Sequence, residues 1–86
     1  MDYLNLNAVI KIMSEKAQDY IRQLDEIKGK LESSGAGQEA IEFEKTGIEK
    51  YKSVLSNIDT YDKEVQGIIL EDVARDMARM KMAYKI

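Results

Sequence analysis

The 86-residue chain contains no cysteine, no histidine, no proline and no tryptophan. The lack of cysteine and histidine excludes disulfides, the usual zinc sites and catalytic triads of the Ser-His or Cys-His kind. The lack of proline means that no residue forces a helix to end. The sequence therefore predicts a non-enzymatic chain that is free to form long helices, with no catalytic, metal-binding or cofactor-binding residues.

The chain also lacks a strong charge of one sign, since its 13 basic residues are balanced by 16 acidic ones. Nucleic-acid binding needs a clustered basic face, so we expect no nucleic-acid partner. No run approaches the ~20 apolar residues that span a bilayer. The first residues, MDYLNLNAVIKIM, have neither the basic region nor the cleavage site of a signal peptide. We therefore expect a cytoplasmic protein without a membrane partner, and any export would not use a cleavable signal peptide.

The first part of the chain shows the apolar pattern of a helix that packs along one seam. Its apolar residues alternate at spacings of three and four, as in the a and d positions of a coiled coil. We therefore predict a first helix over about residues 7–32. The seam consists of Ile10, Met13, Ala17, Tyr20, Leu24, Ile27 and Leu31.

A second and longer helix is predicted over about residues 38–84. Glu39 and Glu42 stand near its start, and Lys81 and Lys85 stand near its end, as the helix dipole favours. Its apolar residues are spaced mostly by four, so the apolar stripe drifts around the helix. The part of this stripe that completes the seam consists of Ile41, Ile48, Tyr51, Leu55 and Ile58.

The segment between the two helices, residues 33–37, reads SSGAG. Gly35 and Gly37 are able to adopt the positive φ that a tight helix exit favours. Residues 1–86 are thus predicted to form one all-α unit, an antiparallel two-helix hairpin of the coiled-coil type. Because two helices make a thin core, we expect the hairpin to complete a four-helix or larger bundle with a partner or with a second copy.

The C-terminal part of the second helix is apolar over a wider surface than one neighbouring helix covers. Three of the five methionines lie there, and methionine suits adaptable contact surfaces. The segment is predicted to contact a partner, with packing in the chain's own core as the alternative. The predicted partner interface consists of Ile69, Val73, Met77, Met80 and Tyr84.

The central turn resembles that of the WXG helical-hairpin family, the small Esx-type proteins exported by type VII secretion systems. Members of that family join two long helices through a Trp-x-Gly turn, and Gly35, Ala36 and Gly37 stand at the corresponding place here. Gly35 replaces the tryptophan, and no tyrosine is followed four residues later by an acid, as the family's export signal requires. With these departures, the chain is more similar to the helical partners that accompany LXG-domain effectors.

This resemblance implies a targeting factor or chaperone that binds the N-terminal helical domain of an effector, a second small helical-hairpin protein, or both. Export would then take place together with the partner. Two alternatives stay open. Residues 51–61, followed by Gln66 and by Asp72 and Val73, are similar to the second helix of type III secretion needle subunits, which implies a needle subunit or a needle chaperone. The third interpretation is a coiled-coil structural adaptor without a role in secretion.

Overall fold

The computed structural model describes the backbone of residues 2–86 and the side chains of residues 14–86. Every regular element in this part of the chain is helical, so the predicted all-α class is confirmed. The three α-helices are α1 (Asp2–Glu32), α2 (Gln38–Ser56) and α3 (Lys63–Tyr84), and a 3-10 turn (Ile58–Thr60) lies between α2 and α3.

The first turn, residues 33–37, depends on a glycine conformation. Gly35 has a φ of +82°, a region that side-chain-bearing residues adopt only with strain. The Ser34 hydroxyl donates a hydrogen bond of 2.7 Å to the Leu31 carbonyl and accepts one of 3.2 Å from the Ala36 amide. Gly37 precedes α2 as its N-cap with an ordinary extended backbone. The turn therefore closes through its own backbone and one serine.

A second reversal at residues 57–62, called the second turn, divides the long helix predicted over residues 38–84 into α2 and α3. The predicted two-helix hairpin is therefore not confirmed. Asparagine, aspartate and threonine supply most of the second turn and form helices poorly. Tyr61 and Asp62 have extended backbone, with ψ values of 158° and 154°. Ile58, only 4% exposed, packs in the core and holds the turn against α1.

The three helices form an elongated bundle of 53 × 18 × 16 Å in which α1 contacts both other helices. Ion pairs fix the antiparallel arrangement of α1 and α2: Lys52 Nζ lies 2.6 Å from Asp25 Oδ1, and Lys45 Nζ lies 2.9 Å from Glu32 Oε1. The chain turns back again before α3, so α3 runs parallel to α1. Contacts between α2 and α3 are fewer than those of either helix with α1.

All three helices and Ile58 contribute to one hydrophobic core. Most of the predicted seam lies in it, with Tyr20 and Tyr51 packed against it and partly buried. Two predicted seam residues, Ile10 and Met13, lie outside the described side chains. In the described part of the chain, no helix is both long and apolar enough to cross a membrane. The fully or nearly fully buried apolar residues are Ala17, Leu24, Ile27, Leu31, Ile41, Ile48, Leu55, Ile58, Leu70, Val73, Met77 and Met80.

Candidate partner-binding groove

A surface groove runs between α2 and α3, and its lining residues come from these two helices alone. We call it the α2–α3 groove. Its α2 wall carries Phe43, Gly47 and Tyr51, which follow one another at the helical spacing of four and therefore share one face. Its α3 wall carries Asp76 and Arg79. The α2 side also carries charged residues, among them Glu39, Glu42 and Lys50. The groove thus combines an aromatic strip on α2, which we call the aromatic wall, with a charged wall on α3.

The aromatic wall is open to solvent at its most apolar point. Phe43, the only phenylalanine of the chain, is 76% exposed. One turn further along α2, apart from the chain neighbours of Gly47 and the adjoining helix backbone, no described atom lies within 4 Å of the place where a Cβ on Gly47 would stand. A glycine inside a helix costs roughly 1 kcal/mol relative to alanine. No neighbouring atom within the described chain explains its presence, and a notch remains between two aromatic side chains.

The charged wall is tied to α2 by an ion pair whose carboxylate is buried and whose guanidinium is half exposed. The Glu44 side chain is only 6% exposed, and its two carboxylate oxygens accept hydrogen bonds of 2.8 and 3.0 Å from the Arg79 guanidinium. Arg79 also donates a bond of 2.6 Å from its Nε to Asp76 Oδ1. The Tyr84 hydroxyl donates a further bond of 2.8 Å to Glu44 Oε2. One glutamate of α2 therefore binds the last two turns of α3.

The hydrogen bonds shift the titration of both partners in the direction that favours the ion pair. Bonding to Arg79 lowers the pKa of Glu44, with a further contribution from Tyr84, and burial only partly opposes the shift. The pKa of Arg79 is raised, first by its bonds to Glu44 and then by those to Asp76. The pKa of Tyr84 is raised because its hydroxyl bonds to the Glu44 carboxylate. Glu44 and Arg79 are thus both charged over the whole neutral range, while the Tyr84 hydroxyl keeps its proton and donates it to the carboxylate.

Asp76 extends the same network towards the aromatic wall. Its pKa is lowered, chiefly by the hydrogen bond from Arg79. The pKa of Tyr51 is raised, first by burial and then by the negative charge of Asp76 across the groove. The Arg79 guanidinium lies between two carboxylates, one on each helix, and so joins α2 to α3. The three charged side chains lie in a row along the groove. In the described part of the chain, no cluster of acidic residues has the geometry to hold a metal ion.

The residues of the predicted partner interface lie elsewhere, in the chain's own core. Val73, Met77 and Met80 are almost completely buried, while Ile69 and Tyr84 pack partly buried against them. The cause is the second turn, which folds α3 back on α1 and covers this apolar stripe within the same chain. The five residues are therefore not a free surface in this conformation, and the alternative prediction of core packing describes them.

The predicted turn motif lies at one end of the bundle. Gly35, Ala36 and Gly37 form the first turn, and none of them lines the α2–α3 groove. Only Gly35 among the described glycines has a positive φ, whereas Gly37 has a φ of −64°. The two glycines of the motif therefore have different roles, a conformational one at Gly35 and an N-cap position at Gly37.

Sequence reasoning missed the charged network and the exposed phenylalanine. A signal for Glu44 was present, because it occupies the position three residues after Ile41 and four before Ile48, where the seam requires a buried residue. A charged residue at a core position of a helical seam indicates a buried partner. Nothing in the sequence pointed to Arg79 as that partner, because the second turn that brings it to α2 was not predicted.

No family model, no curated protein and no solved structure matches the chain.

Proposed function

We propose that the chain is a small, non-enzymatic helical protein that binds another helical protein in the α2–α3 groove. The observation that carries this proposal is Phe43, a 76% exposed aromatic residue beside the open notch at Gly47. Aromatic residues are frequent energetic centres of protein interfaces. An exposed aromatic residue next to a small one offers a partner helix both an anchor and room for close approach.

The opposite wall of the groove gives the interaction a direction. Asp72 and Arg75 continue the charged wall beyond Asp76 and Arg79. An amphipathic partner helix would place its apolar face on Phe43 and Tyr51 and its charged residues against α3. This is the helix-in-groove mode of recognition, in which apolar anchors at helical spacing provide affinity and complementary charge provides orientation.

In its more specific form, the proposal assigns the chain to type VII secretion. The partner is then the N-terminal helical domain of an LXG-type effector, or a second small helical protein bound with it. The chain stabilises that domain and accompanies it to export. The support is the resemblance of the glycine turn, the small size and the all-helical structure. The third helix departs from the two-helix hairpin of the family. Because it covers the methionine-rich stripe within the chain, we propose the groove, and not that stripe, as the interface.

Co-expression with the N-terminal helical domain of an LXG-type effector from the same genome tests both levels of the proposal. The wild-type chain is expected to co-purify with that domain at a fixed stoichiometry. Phe43→Glu is expected to abolish co-purification while the circular dichroism spectrum keeps its helical signal. Met82→Glu is the matched control, because Met82 is 81% exposed on α3 and does not line the groove.

The possible outcomes separate the levels of the proposal. If the wild-type chain does not bind the effector domain, the secretion assignment is wrong. If both glutamate variants bind as well as the wild type, the interface is not in the groove. Loss of binding by Met82→Glu alone would place the interface on the exposed face of α3 that carries Met82, outside the groove.

A further inference from the structure

The second turn is unusual because nothing in its sequence requires it to bend. Residues 57–62 read NIDTYD and contain neither glycine nor proline. Asn57, Tyr61 and Asp62 have φ values of −112°, −98° and −61°, all in ordinary regions for any residue. Every residue of this segment is therefore able to adopt helical geometry. The reversal depends on weak helix propensity, on the burial of Ile58 and on the hydrogen bond from Gln66 to the Tyr61 carbonyl.

An apolar stripe crosses the second turn with the spacing of a continuous helix. Val54, Ile58, Tyr61, Val65 and Ile68 follow one another at intervals of four, three, four and three residues. This is the alternation of a coiled-coil seam. In the folded chain the second turn interrupts the stripe, and its second half is left exposed, with Ile68 at 57%. The residues of the stripe after Ile58 are therefore not part of the core of the compact bundle.

The same stripe is nearly symmetric about Tyr61. Two copies of a straight helix that cross antiparallel at Tyr61 would bring Val54 near Ile68 of the partner subunit, and Ile58 near the partner's Val65. Glu44 lies 17 residues before Tyr61, and Arg79 lies 18 residues after it. The same crossing therefore places Glu44 beside the partner's Arg79, in the register that the ion pair has within one chain.

We propose that the second turn is a hinge and that α3 exchanges between two copies of this chain. In the exchanged dimer, residues 38–84 form one continuous helix, and the α3 of each copy packs on α1 and α2 of the other. The contacts of α3 with α1 and α2 are kept, and only those of the second turn itself, such as the bond from Gln66 to the Tyr61 carbonyl, are given up. The exposed stripe of Tyr61, Val65 and Ile68 becomes buried where the two helices cross. Exchange of an identical element is a low-cost route to a dimer. The inference does not depend on what the α2–α3 groove binds. In the exchanged dimer, α2 of one copy and α3 of the other form the same groove.

A proline at position 62 distinguishes the bent form from the straight form. The φ of −61° at Asp62 and the extended backbone of Tyr61 before it suit a proline. As the N-cap of α3, Asp62 uses its amide for no intrahelical hydrogen bond. The same proline in the middle of a continuous helix would break it. Asp62→Ala is the matched control, because it removes the same side chain but favours the straight helix.

Light scattering coupled to gel filtration, over a wide range of protein concentrations, measures the dimer. We expect the wild type to dimerise as concentration rises, and Asp62→Pro to lower the association constant by at least about tenfold. Asp62→Ala is expected to keep or raise it. The proposal is overturned if the wild type stays monomeric throughout, or if Asp62→Pro dimerises as well as the wild type does.

A charge-reversed pair tests whether a dimer arises by exchange. Glu44→Arg and Arg79→Glu each place two like charges face to face within a single chain. When the two variants are mixed, exchange pairs the introduced arginine of one variant with the introduced glutamate of the other. It also pairs the native Glu44 of the Arg79→Glu variant with the native Arg79 of the Glu44→Arg variant. Both ion pairs are therefore restored only in the mixed dimer.

We expect the mixture to form a 1:1 dimer that melts above either variant alone. This dimer should be lost when both copies also carry Asp62→Pro. A mixture that melts like its separate components would show that α3 does not exchange.

Discussion

The two turns of the chain reverse its direction in physically different ways. The first turn uses the positive φ of Gly35 and the hydroxyl of Ser34, and the helices it joins are linked by exposed ion pairs such as Lys52–Asp25. The second turn has no glycine. It is held by the buried side chain of Ile58 and by the hydrogen bond of 2.8 Å from Gln66 to the Tyr61 carbonyl.

This difference indicates where the fold is specified locally and where it depends on tertiary contacts. A turn that contains a residue suited to positive φ bends even before the helices pack. A turn built from residues compatible with a helix bends only when packing compensates for the lost helical hydrogen bonds. We therefore expect substitutions of packing residues to affect the second turn most, and substitutions of backbone-determining residues to affect the first.

The largest effect is expected for Ile58→Ala. Ile58 is 4% exposed and belongs to the core cluster, so its truncation removes buried apolar surface and leaves a cavity. The expected loss in the free energy of unfolding is about 2–5 kcal/mol, measured by urea denaturation. Ile68→Ala, at a 57% exposed position of α3, should cost less than about 0.5 kcal/mol. Equal losses at both positions would show that the second turn is not held by the burial of Ile58.

The next effect is expected for Arg79→Ala, which leaves the buried carboxylate of Glu44 with Tyr84 as its only remaining side-chain partner in the described network. Breaking a fully buried pair costs more, but Arg79 is 47% exposed, so we expect about 2–3 kcal/mol. Arg75→Ala is the matched control, since Arg75 pairs with Asp72 at 3.5 Å on the surface and should contribute less than about 1 kcal/mol. Thermal or urea unfolding of the two variants measures the difference.

The same ion pair makes the stability of the α2–α3 contact depend on pH. The pKa of Glu44 is lower in the folded chain than in the unfolded one, because Arg79 donates to its carboxylate. Its contribution is therefore fully present above the ordinary glutamate pKa of about 4.3 and is lost as the pH falls through the lower, folded value. Urea unfolding at a series of acidic pH values should show this loss in the wild type, and a smaller one in Glu44→Gln. Identical slopes for the two proteins would contradict it.

The contrast between the two turns also explains how much the sequence could predict. The all-α class and the seam of α1 from Ala17 to Leu31 follow from local periodicity, and the glycines mark the first turn. The second turn has no such marker, because its residues are weak helix formers without a chain-breaking one among them. A stripe that continues through Tyr61 favoured a straight helix on local grounds, whereas the burial of α3 on α1 depends on contacts distant in sequence.

The candidate site was unpredictable for the same reason. Glu44 and Arg79 lie 35 residues apart, and only the second reversal brings them together. The pattern of the methionine-rich stripe indicates a contact surface, and the contact that the structure shows for Val73, Met77 and Met80 is with the chain's own core. Phe43 gave no signal, since a single apolar residue outside a seam is normal on a helix surface. The local sequence pattern thus indicates which helix faces are apolar. Which element covers each face depends on the second turn, which is set by tertiary contacts.

The smallest effects are expected in the first turn, where the two glycines provide a matched pair. Gly35→Ser forces a side-chain-bearing residue to a φ of +82° and should destabilise the chain by about 1–2 kcal/mol. Gly37→Ser introduces a hydroxyl at the N-cap of α2, where the extended backbone accepts any residue and no side chain caps the helix at present.

We therefore expect Gly37→Ser to stabilise the chain by about 0.5 kcal/mol, since a serine N-cap satisfies a free amide of the first helical turn and reduces the freedom of the unfolded chain. Thermal melts of the two variants under identical conditions measure both changes. Opposite signs at positions two residues apart would show that the first turn is fixed by the conformation of Gly35 alone. Equal destabilisation at both would mean that the turn requires a glycine at each of the two positions.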